Sequence, residues 1–180
     1  TSDHGESLGD HGLLQKGCRF YEGLVRVPLI FSWPGEIASG VRSPALVELI
    51  DKTATILDLC GLERPEWVQG RSLLPILRGE VSPEHHRDSV RCEYFDALSS
   101  HFTGGNGTFA TMYRDRTHKL IVYHGHGLGE LYDLENDPHE FDDLWDKPEH
   151  RELRDDLVRA SFDSHVLLTT EVGSTRIAPM

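Results

Sequence analysis

Thr1-Ser2-Asp3-His4-Gly5-Glu6-Ser7-Leu8-Gly9-Asp10-His11-Gly12-Leu13-Leu14-Gln15-Lys16-Gly17 opens the chain. Two metal-ligand types stand side by side at Asp3 and His4, and a second Asp-His-Gly and a Lys-Gly follow within the same short stretch. Carboxylate and imidazole suit a divalent ion and an ammonium suits an anion, so both kinds of donor are gathered in one loop-prone segment. Consecutive residues of a helix or a strand point apart. Asp3 and His4 can therefore meet one ion only from a loop, and Gly5 is expected to let the backbone turn sharply there. Loops that leave the carboxyl ends of strands are where α/β sheets place ligands. The strand would then precede Thr1, and the 180 residues are expected to be the rear part of a longer protein.

Outward from that block, Val27-Pro28-Leu29-Ile30-Phe31-Ser32-Trp33 is a short apolar run closed by Pro34-Gly35, the pattern of a buried strand in a covered sheet. Residues 18–26 before it form a surface connection or a short helix. A helix is expected within 45–61, capped by Asp51, with Ala54, Leu57 and Cys60 on its apolar stripe, Ile56 and Leu59 widening it, and Gly61 closing it. A second short helix spans 72–78, ending at Gly79. The polar stretch 82–87 marks a boundary. Beyond it, runs at 89–95, 109–114, 119–123 and 130–134 are separated by short connections, which imply antiparallel pairing. Gly104 to Gly107 is expected to be a turn or mobile loop. A last helix starts near Asp146, its expected cap, with Pro148 in the first turn and Leu153, Leu157 and Phe162 on one face. It should pack on the small sheet. The division is thus 1–81, 82–168 and a frayed tail at 169–180, an α/β part followed by a small antiparallel sheet with a terminal helix.

With 30 acidic against 18 basic residues the net charge is −12, which argues against a nucleic-acid footprint, because phosphate neutralisation needs clustered Lys and Arg. Three widely spaced cysteines, Cys18, Cys60 and Cys92, do not make a disulfide framework. No apolar run is long enough to span a membrane, and the compartment is left open.

The opening block, then Lys16-Gly17 and Val25-Arg26-Val27-Pro28-Leu29-Ile30, resembles the second metal-binding block of the sulfatase family within the alkaline phosphatase superfamily. Residues 51–61, Gly70-Arg71-Ser72-Leu73-Leu74-Pro75, Lys119-Leu120-Ile121 and the run from Glu130 to Glu140 continue the resemblance to about residue 160. It implies that the chain is the C-terminal part of an alkaline-phosphatase-like α/β sheet domain followed by the small sheet. It implies that Asp3 and His4 are ligands of a divalent metal, calcium with magnesium as the alternative, and that Lys16 is a catalytic contact to the sulfate group. His11 and Arg19 are close enough in sequence to line the same pocket. The implied reaction is hydrolysis of a small-molecule or carbohydrate sulfate ester by a formylglycine nucleophile with the metal as Lewis acid. That nucleophile, from a Cys-x-Pro/Ala-x-Arg motif, and two further aspartates are expected upstream of Asp3. Alone, the 180 residues are expected to be inactive and prone to self-association, because the run from Val27 to Trp33 would lack sheet neighbours.

Cys60-Gly61-Leu62-Glu63-Arg64 imitates the nucleophile spacing but has Leu62 at its third position and lies at a helix end. His124-Gly125-His126 is a surface turn without a carboxylate or cysteine partner at a recognisable spacing. Glu135, Asp137, Glu140, Asp142 and Asp143 form a solvated acidic turn. Two rival functions stand beside the sulfatase. One is a phosphodiesterase, phosphonate monoesterase or phosphoethanolamine transferase of the same superfamily, and the other is a non-catalytic binding or assembly module.

Overall fold

Four six-residue strands form one antiparallel sheet: β1 (Val90–Phe95), β2 (Phe109–Arg114), β3 (His118–Tyr123) and β4 (Leu128–Asp133), hydrogen-bonded in that order. The computed structural model describes residues 1–95 and 107–171, with side chains through Leu167; the glycine turn expected at 104–107 lies almost wholly outside the described residues. Each strand pairs with the next in the chain, as short connections require. Met112 faces Ile121 and Ile121 faces Glu130 across the ladder.

The sheet is covered on both faces. Ala110, Met112, Ile121 and Tyr132 pack with Phe20, joined by Tyr21 and Val25. On the opposite face Leu120 and Leu131 pack with Leu144 and Leu157, with Trp145 and Leu153 beside them. Two covered faces explain why β3 is almost continuously apolar where a sheet with one wet face would alternate. Helix α4 (Arg151–Glu171) follows a single 3-10 turn at Pro148–His150. Asp146 does not cap it. Pro148 takes the first helical position, so Lys147 stands at the cap and makes no side-chain capping bond. Leu153 and Leu157 are one helical turn apart and share the apolar face; Phe162, five residues further on, is off that face and exposed. The helix runs a few residues past the expected fraying point at 169.

By contacts, among the described residues those of 1–29 and 89–159 make one unit, and those of 30–88 and 160–171 make another. This grouping differs from a division at residue 82 because the segment Phe20–Val25, including the one-turn helix α1 (Glu22–Val25), lies on the sheet and draws the opening loop with it.

In the second unit, helices α2 (Ile50–Leu59) and α3 (Leu74–Leu77) are each closed by a glycine with positive φ, Gly61 and Gly79. At Gly61 the amides of Leu62 and Gly61 bond the carbonyls of Leu57 and Asp58, which satisfies two orphan acceptors. Asp51 is inside the first turn of α2, not its cap. It is fully buried, and it accepts hydrogen bonds from the amides of Glu48 and Arg71 and from the Arg87 guanidinium. Burial would raise its pKa, but His86, the two amides and Arg87 outweigh that and hold it below the usual carboxylate range. The buried face of α2 is therefore Asp51, Ala54 and Thr55, while Ile56 and Cys60, expected on the stripe, are exposed. The Thr55 hydroxyl donates to the Asp51 carbonyl and accepts the Leu73 amide, a polar seam that an apolar-stripe search passes over.

The strand expected at Val27 to Trp33 is not a strand. Residues 27–33 carry no regular secondary structure, with Ile30 79% exposed and Trp33 45% exposed. Pro28 offers no amide, and a strand exists only where a ladder partner lies alongside; among the described residues none does.

Candidate active site

The opening segment has almost no regular structure, one 3-10 turn at Asp10–Gly12, yet it is pinned at several points. The Gly5 amide donates to the Leu24 carbonyl at 2.7 Å. A Cβ at residue 5 would come within 1.9 Å of the Gly23 carbonyl oxygen, so only glycine lets the two backbones approach this closely. Close approach, rather than the sharp turn expected, is the reason for glycine here. Ser7 is buried, and its hydroxyl donates to the Gln15 carbonyl at 3.1 Å, closing the loop that returns Lys16 toward His4. Leu8 (φ 51°) and His11 (φ 54°) hold left-handed conformations unusual for their residue types, strain that a loop keeps only where its surroundings over-determine it.

Asp3, His4 and Lys16 come together on this loop. Asp3 Oδ2 lies 3.7 Å from His4 Nε2, and the Lys16 ammonium touches the same nitrogen. His4 Nδ1 is 2.8 Å from the Gly5 carbonyl, an acceptor only, so Nδ1 carries the proton and Nε2 presents a lone pair. The Asp3 carboxyl is held below its ordinary value, first by its own amide and that of His4, with the Lys16 charge adding to them. An exposed carboxylate and an imidazole within reach of one ion are two ligand types of a divalent metal, with the Nε2 lone pair taken by the Lys16 ammonium in this arrangement. They do not complete a site: among the described residues no group of three or more His, Cys, Asp or Glu side chains is placed to hold a metal.

His11 and Arg19 are elsewhere. His11 stacks flat on Tyr21, ring centroids 3.7 Å apart, and lines a small cleft with Ser7, Asp10, Tyr21 and His139 that does not include Lys16. Arg19 donates to Glu130 Oε1 at 2.8 Å and to the Tyr123 hydroxyl at 2.9 Å. Tyr123 and Tyr132 also donate to Glu130, and burial first, then the Glu130 charge, pushes both phenols well above their ordinary range.

Of the expected solvated acidic turn, Glu135, Asp142 and Asp143 are exposed and Asp137 is half-buried, but Glu140 is not solvated. It is buried, with φ 59°, and accepts from Lys119 Nζ at 2.7 Å and from the Glu22 amide at 2.7 Å. Lys119 is fully buried between Glu140 and Glu22. A lysine inside an apolar strand is the one sequence signal of this pairing, because a buried ammonium needs an acidic partner. The His124 to His126 stretch is a turn, as expected, and Cys60 is a free exposed thiol at the end of α2. No described helix is long and apolar enough to cross a membrane.

Residues 9–164 match the family described as N-sulphoglucosamine sulphohydrolase, C-terminal. The chain belongs to the sulfatase family. It is 34% identical over 88% of its length to the N-acetylglucosamine-6-O-sulfatase of Bacteroides thetaiotaomicron, covering 28% of that protein. Two solved sulfatase-like folds superpose on it. One is a protein in complex with its substrate D-glucosamine-2-N,6-O-disulfate, at TM-score 0.78 and 29% identity over 93% of this chain and 33% of that one. The other is the phosphonate monoester hydrolase of Agrobacterium radiobacter, at TM-score 0.80 and 28% identity over 93% and 34%. This sulfatase chain thus spans about a third of the length of such relatives. The α/β architecture with its antiparallel sheet and terminal helix is the one the sequence predicts.

Proposed function

We propose that these residues supply one side of the active site of a sulfate ester hydrolase. The observation that carries the proposal is the convergence of Asp3, His4 and Lys16 on one pinned, exposed loop in a chain of the sulfatase family. Asp3, kept ionised, and His4, kept in the tautomer that frees Nε2, hold a divalent cation, calcium with magnesium as the alternative. When bound, that cation supplies Lewis acidity toward an ester oxygen. Lys16 sets a fixed positive charge where negative charge develops on the sulfate group, in place of water that would have to reorganise. The remaining ligands and a formylglycine nucleophile come from the rest of the full-length protein, so the 180 residues alone bind metal weakly and turn over no ester. The substrate is a small-molecule or carbohydrate sulfate ester.

A phosphonate monoester hydrolase is the second reading, favoured by the superposition on that enzyme. Turnover of 4-nitrophenyl sulfate and of a phenyl phosphonate monoester by the full-length protein, with its metal content measured, separates the two. Faster sulfate turnover with calcium or magnesium bound is the expected outcome. Preference for the phosphonate ester with a transition metal bound would replace the sulfatase proposal by the second reading.

A further inference from the structure

We infer that Lys119, Glu140 and Glu22 form a positioning device for the loop that carries Asp3 and His4; the inference rests on the proposed role of that loop. Lys119, near the start of β3, donates to Glu140 Oε1 at 2.7 Å and to the Phe20 carbonyl at 2.9 Å, and lies 2.7 Å from Glu22 Oε1. The second Glu140 oxygen accepts the Glu22 amide. The backbone at Phe20 and at Glu22 is therefore clamped to one buried ammonium and its carboxylate partner. The same short segment continues through Gly23 and Leu24, whose carbonyl accepts the Gly5 amide, and Gly5 packs directly on the Gly23 carbonyl. The Gly5 carbonyl in turn takes His4 Nδ1. A continuous path of hydrogen bonds and backbone contacts thus runs from the sheet interior to the imidazole proposed as a metal ligand.

An ammonium and two carboxylates are an expensive way to fill this space. Lys119 shares its strand face with Ile121, which packs among Met112 and Tyr132, and an aliphatic side chain there would extend the same cluster without desolvating charge. Directional bonds to two backbone groups of residues 20–22 fix where that segment sits along β3, which apolar packing leaves free to slide. The left-handed φ of Glu140 has the same meaning, since a non-glycine residue holds it only where contacts over-determine it. The network is thus built to set a position.

Two variants of the full-length protein test this. Glu140→Gln keeps the size and weakens the clamp, and Lys119→Met with Glu140→Leu replaces the buried charges by apolar groups. Amide hydrogen exchange is read at Gly5 and, as an internal reference, at Met112 and Ile121 in the middle of the sheet; calcium affinity is titrated alongside. The device predicts that Gly5 exchange rises about 10-fold or more over the Ile121 reference, as expected where a local opening and not global unfolding is promoted. Calcium affinity should fall about 10-fold, with turnover recovered at saturating calcium. Gly5 exchange that is unchanged, or that rises only in step with Ile121, would overturn the inference and leave the network a fold-stabilising one. If the parent protein binds no divalent cation while Gly5 exchange still responds, the sulfatase reading of the loop fails and the positioning device stands.

Discussion

Two ionic clusters in the sheet-bearing unit each set a lysine beside a carboxylate, in opposite surroundings. Asp3, His4 and Lys16 are exposed on irregular backbone, with the Asp3 side chain 87% accessible, whereas Lys119 and Glu140 are buried between the sheet and the segment that covers it, with Glu22 part-buried beside them. The exposed cluster has donors left over for a ligand. In the buried one every charge is already answered, Glu22 by Lys119, Arg114 and Arg26, and Glu140 by Lys119 and a backbone amide. Exposure separates the proposed site from the buried network.

Substitutions should separate the two clusters cleanly. The largest effect on activity is expected at Lys16→Ala in the full-length protein: sulfate ester turnover drops about 100- to 1,000-fold, as for other single charge-stabilising donors. Its melting temperature should stay within a degree or so, and a drop of ten degrees would move Lys16 into the scaffold class. Lys119→Ala is the mirror image. It leaves the buried Glu140 carboxylate without its cation, and denaturant titration should show a loss of roughly 3–5 kcal/mol; a loss under 1 kcal/mol would mean that the buried cluster holds nothing.

Gly5→Ala lies on the link between them. The added methyl meets the Gly23 carbonyl, so stability falls by about 1–3 kcal/mol and turnover falls with it. Retention of both would show that the loop is not seated on α1 as described. The pH dependence adds a smaller term. Burial would raise the Glu22 carboxyl, but Lys119, Arg114 and Arg26 bring it below its ordinary 4.5. Its folded pKa lies under its unfolded one, so the stability it contributes is complete above about pH 4.5 and is lost as the pH falls through the folded value. Acid titration of the melting temperature should lose part of its slope in Glu22→Gln, and an unaltered slope would contradict the pairing. Cys60→Ser is expected to change activity less than twofold, since an exposed thiol at the end of α2 serves neither cluster; abolished turnover would make that cysteine the nucleophile.

The exposed cluster was legible in the sequence because its ligand types are adjacent, and the four strands were legible because each run is short and bounded by turn residues. The buried cluster was not. Its members lie at 22, 119 and 140, and Glu140 sits among acidic neighbours that are mostly wet, so nothing local distinguishes it. Asp51 misled for a related reason: an acid near the start of a helix has the composition of a cap, and only the distant Arg87 reveals it as a buried charge. Val27 to Trp33 has the right composition for a strand, but pairing is a property of two segments and cannot be read from one.

Calcium titration of the full-length protein against its Asp3→Ala variant, with 4-nitrophenyl sulfate turnover followed at each point, tests the central claim most directly. Turnover in the parent should be saturable in calcium, abolished by chelation and restored by added calcium. In the variant, calcium affinity and turnover should be lost together while the melting temperature holds. Turnover that survives chelation, or that survives the loss of Asp3 undiminished, would contradict it.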